Sequence, residues 1–179
     1  MAAKWDKKAA DGGDVNAQMD LSMMYYYGKG VSQDAKAAIK YYEMAAAQCP
    51  KCPAGFEGIF GIHYMRKGKP DDVKRAITLF EDGAQRGDAR CQAAMGYNYE
   101  KGLGVKKNLE KAAFWNMKSA AQGFAIGEFN LGVLYEKGWG VPKDIEIAKK
   151  WYLKAAAQGD KGAKERLKKF WPKYFSDPS

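Results

Sequence analysis

Few residues in this chain could do chemistry. It holds one histidine, His63, and three cysteines, Cys49, Cys52 and Cys91. A nucleophilic enzyme needs a hydroxyl or thiol with a base in reach. His63 falls within a stretch of helical periodicity, and no serine or cysteine stands at helical spacing from it, so it reads as an ordinary structural histidine. Ser-x-x-Lys, the simplest signature of a penicillin-recognising serine enzyme, occurs nowhere. Cys49-x-x-Cys52 has the spacing of a redox motif or half a zinc site, but no second ligand pair accompanies it, and Pro50 and Pro53 stiffen the loop. Cys49 and Cys52 are therefore a candidate local disulfide or two free thiols, with no metal site implied. Cys91 takes the place of a small residue on a helix, the default of a buried filler. The Gly-x-Gly turns Gly28–Gly30, Gly102–Gly104 and Gly138–Gly140 lack the third glycine of a dinucleotide fingerprint and follow helical rather than strand patterns. They read as turns, and no cofactor is implied.

The elements that carry these residues are bounded by composition. The 179 residues suit one compact or repetitive unit, and 46% hydrophobic and 13% aromatic content excludes intrinsic disorder. No apolar run approaches the roughly 20 residues that span a bilayer, and no charged-then-apolar leader opens the sequence. Three cysteines make no disulfide framework, which leaves the compartment open between a periplasmic or secreted location after leader removal and a cytoplasmic one. The net charge of +9 is uneven, with ten basic and four acidic residues between Lys143 and Lys173. That basic end is either a solvated cap or a contact for an acidic partner; nucleic acid is the disfavoured reading.

The chain repeats itself. YYYGKGVSQDAKAAIKYYEMAAAQ at 25–48 returns as YEKGLGVKKNLEKAAFWNMKSAAQ at 99–122 and as YEKGWGVPKDIEIAKKWYLKAAAQ at 135–158, with a weaker copy at 64–86. Equivalent apolar positions Leu21, Phe60, Met95, Leu131 and Leu167 are separated by 39, 35, 36 and 36 residues, so the underlying period is 36. The long step contains Cys49–Pro53, and the short one reflects a trimmed turn near Gly68-Lys69-Pro70.

Within a period, apolar residues follow helical spacing twice: Leu131, Val133, Leu134 and Tyr135, then Ile147, Ala148, Trp151, Tyr152, Ala155 and Ala156. Each repeat is therefore a helix pair. The turn glycines end the first helix, and Asp34, Asp72, Asn108 and Asp144 are placed to cap the second. Glycines at 87, 123 and 159 close the second helices. Trp5 to Ala10 align with Trp151 to Ala156, so the chain is expected to open inside a second helix whose first turns lie upstream. The expected layout is one solenoid over 1–173. It comprises a half-repeat at 4–13, repeats at 14–52, 53–88, 89–123 and 124–160, a lysine-rich cap helix at 161–171, and a tail at 174–179.

The fourth copy reads Leu131-Gly132, Tyr135, Gly138-Trp139-Gly140-Val141, Asp144, Trp151-Tyr152 and Lys154-Ala155-Ala156-Ala157-Gln158-Gly159. This pattern resembles the Sel-one-like repeat, a relative of the tetratricopeptide repeat, over nearly the whole chain. The second copy keeps Phe60-Gly61 and Tyr64 but lacks Gly-x-Gly-Val. The resemblance implies an all-α fold, a right-handed superhelix of about four antiparallel helix pairs. It also implies a non-catalytic adaptor that holds another protein or peptide. Bacterial relatives extend the alternatives to an immunity or inhibitor protein that neutralises a secreted toxic effector. A cell-wall or beta-lactam hydrolase is the remaining alternative, weakened because the cysteine-rich members it comes from carry regular cysteine pairs that are missing here.

In such a stack the first helices line the concave side. The residues two before and two after the frame leucine, with the next turn, point into the groove. On this chain the rule selects Met19, Met23 and Tyr26, then Ile62 and Met65, Tyr97, and Phe129 and Val133. This wall is rich in methionine and aromatic residues, which combine adaptable shape with large contact area. Partner binding and mere helix packing are the two roles such residues can have.

Overall fold

The computed structural model describes residues 2–48 and 56–172, and among them every regular element is an α-helix. The chain falls into two compact units, residues 1–53 and 54–179. The first holds α1 (Ala2–Asp11), α2 (Val15–Tyr27) and α3 (Ala35–Gln48). The second holds α4 (Glu57–Lys67), α5 (Pro70–Gln85), α6 (Ala89–Lys101), α7 (Leu109–Ala121), α8 (Ala125–Lys137), α9 (Ile145–Ala157) and α10 (Lys161–Phe170). Cys49, Cys52 and the tail from 174 lie outside the described residues.

Local chemistry sets the helix ends. Asp14, Asn108, Asp144 and Asp160 each accept the backbone N–H three residues on, at 2.7 to 2.8 Å. Asp34 accepts from Lys36 and Ala37 in the same way. Asp72 does not cap its helix: α5 begins at Pro70 and leaves Asp72 inside the first turn. Proline has no N–H to satisfy and its fixed φ suits the first helical position, so the shorter turn starts its helix there. The three full turns share one closure, in which the amide of Asp34, Asn108 or Asp144 donates to the carbonyl of Tyr25, Tyr99 or Tyr135 at 2.9 to 3.0 Å.

Pairing of the helices depends on a small residue beside each frame position. A Cβ on Gly61 would lie 2.5 Å from Phe80 Cε1, and one on Gly132 would lie 2.7 Å from Tyr152 Cε1. Gly96 is pressed in the same way by the Asn116 amide. In the first unit this place is held by Ser22, whose hydroxyl donates to the Ala38 carbonyl at 2.7 Å. The second helix thus rests on the backbone of the first. Full burial of Tyr152 and Phe80 there is worth about 1.5 to 3 kcal/mol each.

A part-buried polar link ties the end of each second helix to a buried side chain at the start of its first. Gln48 donates to Gln18 at 3.0 Å, Gln122 to Gln92 at 2.8 Å and Gln158 to Glu128 at 2.8 Å. Arg86 and Glu57 make the equivalent ion pair. Gln18 and Gln92 also donate to the preceding helix, at the carbonyls of Ala10 and Ala84. In the second unit each helix packs on the next in chain order, and α6 additionally touches α4 and α8. Its core includes the cluster of Ala113, Ala120, Leu131 and Leu134 and, next to it in the chain, that of Ala148, Tyr152, Ala155, Ala163 and Leu167. In the first unit Tyr25 and Tyr41 stack at 5.9 Å, and burial together with the Asp11 carboxylate pushes the Tyr41 phenol up to about 12.

Gly140 combines both constraints on a turn. Its φ is +70°, and a Cβ there would overlap the Leu109 carbonyl and reach 2.8 Å from the Glu110 amide. Gly159 has φ +94° with nothing within 4 Å of the added carbon. Gly159→Ala should therefore cost about 1 kcal/mol from backbone strain alone. Gly140→Ala should cost more, about 3 kcal/mol or above, because backbone must move as well. Chemical denaturation of both variants checks this, and equal losses would mean that the loop's contact with α7 contributes nothing.

Candidate peptide-binding wall

The helix pairing leaves one face of α4, α6 and α8 uncovered by the other described residues. These three first helices enclose an open pocket of about 460 Å³. Ile62 and Met65 come from α4, Tyr97 from α6 and Phe129 from α8, so four of the sequence-selected wall residues meet at one site. Tyr97 is 45% exposed and Ile62 37%, which leaves both available for contact. The remaining selected residues are placed differently. Val133 packs against the α9–α10 cluster and does not line the pocket. Met19, Met23 and Tyr26 belong to α2 in the first unit, where Met19 is buried at 3% exposure and Met23 and Tyr26 are half-buried.

Phe129 has two duties. Its ring lies 5.8 Å from that of Tyr152, and it packs against the α9–α10 cluster while forming part of the pocket. A helix anchored this way needs its neighbours held in register. Glu136 does this at the far end of α8, accepting from the Tyr152 hydroxyl at 2.7 Å and from Arg166 of α10 at 2.9 and 3.0 Å. Burial pushes the Glu136 carboxyl upward, but hydrogen bonds from Tyr152 and Lys137 and the charge of Arg166 outweigh it and hold the group below its ordinary value. Burial and the same carboxylate push the Tyr152 phenol well above its usual range, so it stays a donor.

Several wall residues were not selected from sequence. Arg66, Arg90, Asn98, Phe124, Ile126 and Asn130 also line the pocket. Asn98 had a readable signal, since it occupies the position held by Met24 in the first repeat and Leu134 in the fourth. The arginines had none, because a charged residue on a helix normally reads as solvated surface. Lys168 and Lys169 are exposed on α10 and lie outside the pocket.

The other chemical candidates are structural. Cys91 is fully buried, and burial, with the nearby Asp88, pushes its thiol far up, so no thiolate nucleophile stands there. His63 is half-buried beside the Tyr64 ring at 5.9 Å. Among the described residues no group of three or more His, Cys, Asp or Glu is placed to hold a metal, and no helix is long and apolar enough to cross a membrane.

The Sel1 repeat profile matches residues 15–48, 89–124 and 125–160, more than half of the chain. The chain belongs to the Sel1 repeat family. Residues 53–88, the copy lacking Gly-x-Gly-Val, lie outside the matched segments. Over 117 residues, 63% of this chain, it is 31% identical to human protein sel-1 homolog 2. Over 67 residues, 37% of this chain, it is 36% identical to the rat DAP3-binding cell death enhancer 1. The matches span only 16% and 13% of those two relatives' lengths. A Sel1 repeat protein from Oxalobacter formigenes superposes with TM-score 0.79 and 32% identity, over 93% of this chain and 65% of that one. A protective antigen of uropathogenic Escherichia coli with an SLR fold gives TM-score 0.78 and 29% identity, over 96% of this chain and 36% of that one. Sel1 repeats are thus helix pairs here as in those structures, and the family places this chain among the all-α, tetratricopeptide-like solenoids.

The depressed Glu136 pKa gives a pH test with a defined sign. Its stabilisation is present above the ordinary carboxylate pKa of about 4.3 and is lost as pH falls through the lower folded value. Glu136→Gln should cost about 1 to 3 kcal/mol at neutral pH. That penalty should shrink towards acid, where the wild-type group is protonated too. A penalty independent of pH, measured by urea unfolding across the acid range, would show that the ionised carboxylate contributes nothing.

Proposed function

We propose that this Sel1 repeat chain is a non-catalytic scaffold that binds a partner protein or peptide on the wall formed by α4, α6 and α8. One observation carries the reading: a mainly apolar pocket, with Tyr97 and Ile62 exposed beside it, is shared by three successive first helices. Contiguous apolar surface of this kind is characteristic of contact sites. The rigid helices on either side would present it with little ordering cost on binding. Family membership supports the same reading, and the rat relative is named for binding another protein, DAP3. The burial of Cys91 and the lack of a nucleophile at helical spacing from His63 support a role without catalysis.

Tyr97 is the clean probe, because Phe129 also serves the core. Tyr97→Ala should weaken partner binding by about 1 to 3 kcal/mol while leaving Tm nearly unchanged. Photoreactive residues at position 97 and at exposed Leu153 on α9 locate the contact in the native cell. Crosslinking from 97 and not from 153 is expected; the reverse pattern would sink the assignment of this wall.

A further inference from the structure

The polar residues of the pocket narrow its occupant. Among the described residues its lining contains two arginines, Arg66 and Arg90, and no acidic residue. Arg86 and Arg166 are paired with carboxylates, whereas Arg66 and Arg90 are exposed and make no ion pair among the described residues. Helix stability does not account for Arg90. It sits in the first turn of α6, where the positive end of the helix dipole disfavours a cation. Its stem is nevertheless laid along α4, since a Cβ on Gly58 would come within 2.8 Å of Arg90 Cδ. The guanidinium is therefore carried to the pocket by packing.

Asn98 is the independent second observation. It forms part of the pocket wall, is only 2% exposed, and its Nδ2 finds no acceptor among the described residues. A buried amide donor without a partner carries a desolvation cost. The fold does not demand it, because fully buried Leu134 fills the same place one repeat later. A donor kept at such a cost beside a pocket matches an acceptor supplied from outside.

We infer that the pocket receives an extended acidic segment of a partner protein. A large apolar side chain would seat against Ile62, Tyr97 and Phe129, a flanking carboxylate would pair with Arg66 and Arg90, and a backbone carbonyl would accept from Asn98. The inference rests on the wall being the binding surface and adds the chemical class of what binds there. The volume, about 460 Å³, accommodates one or two side chains of an extended segment rather than the edge of a folded domain. Guanidinium groups favour carboxylates through paired N–H donors, which sets the class by charge as well as by shape.

The test is selection of random peptides displayed on phage against the full chain, followed by affinity measurement on a synthetic peptide of the enriched sequence. Enrichment of Leu, Ile or Phe flanked by Asp or Glu is expected, with affinity falling as salt rises. The double variant Arg66→Gln and Arg90→Gln, which keeps both side-chain stems, should lower affinity about tenfold or more. Asn98→Leu should weaken binding while Tm is maintained or raised. Neutral or basic peptides that still require Tyr97 would overturn the acidic class and leave the wall assignment standing. Peptides indifferent to Tyr97 as well would remove both. Failure to enrich any peptide, or binding of single-stranded DNA in place of acidic peptides, would also overturn the proposal, with the wall then judged by crosslinking from position 97.

Discussion

Everything else in this protein depends on how closely the two helices of a pair approach. Glycine or serine beside the frame residue lets an aromatic or amide side chain of the second helix lie on the backbone of the first, as Phe80 does on Gly61 and Tyr152 on Gly132. Ridge-and-groove packing of helices is governed by the side chains at the crossing, and a missing Cβ there brings the axes together. The alanines at 112, 113, 148 and 155 extend the same principle along the second helices. In the last four helices the buried clusters join helices adjacent in the chain, α7 to α8 and α9 to α10, the nearest-neighbour packing of a repeat fold.

Apolar contacts alone would let such thin layers slide. The recurring Gln–Gln, Gln–Glu and Arg–Glu links remove that freedom, because a buried amide or carboxylate displaced from its partner is left unsatisfied. Substitution within the set is informative. Where the second copy lost its turn signature, it also replaced the glutamine pair by Arg86 and Glu57, keeping the link with different chemistry. The last pair adds the Glu136–Tyr152–Arg166 network, which joins α8, α9 and the terminal helix.

This economy explains why a wall is left over. A first helix of the second unit uses one face on its own second helix and another on the neighbouring repeats, so a third face has no partner among the described residues. On α4, α6 and α8 that face carries Ile62, Tyr97 and Phe129. The same close packing lays the stem of Arg90 along α4 at Gly58. The pairs behind the wall hold it together, and of its residues Phe129 also belongs to that packing whereas Ile62 and Tyr97 stay exposed.

The sequence by itself determined the helix pairs, their turns and most of their caps. These are matters of near neighbours: a 3.6-residue period, a φ that glycine tolerates, a carboxylate or amide three residues before an open N–H. Even the exception at Asp72 was local, since Pro70 starts α5 two residues early. Of the wall, Ile62, Met65, Tyr97 and Phe129 were legible because the repeat frame fixes which side of a first helix faces away from its partner. Tertiary structure alone decided that Met19 is buried, that Val133 and part of Phe129 are spent on the α9–α10 core, and that Arg66, Arg90 and Asn98 converge on one pocket. Those outcomes depend on the volumes of side chains a full repeat away, filling or leaving open the space between helices, and a periodic pattern read along one helix carries no information about them.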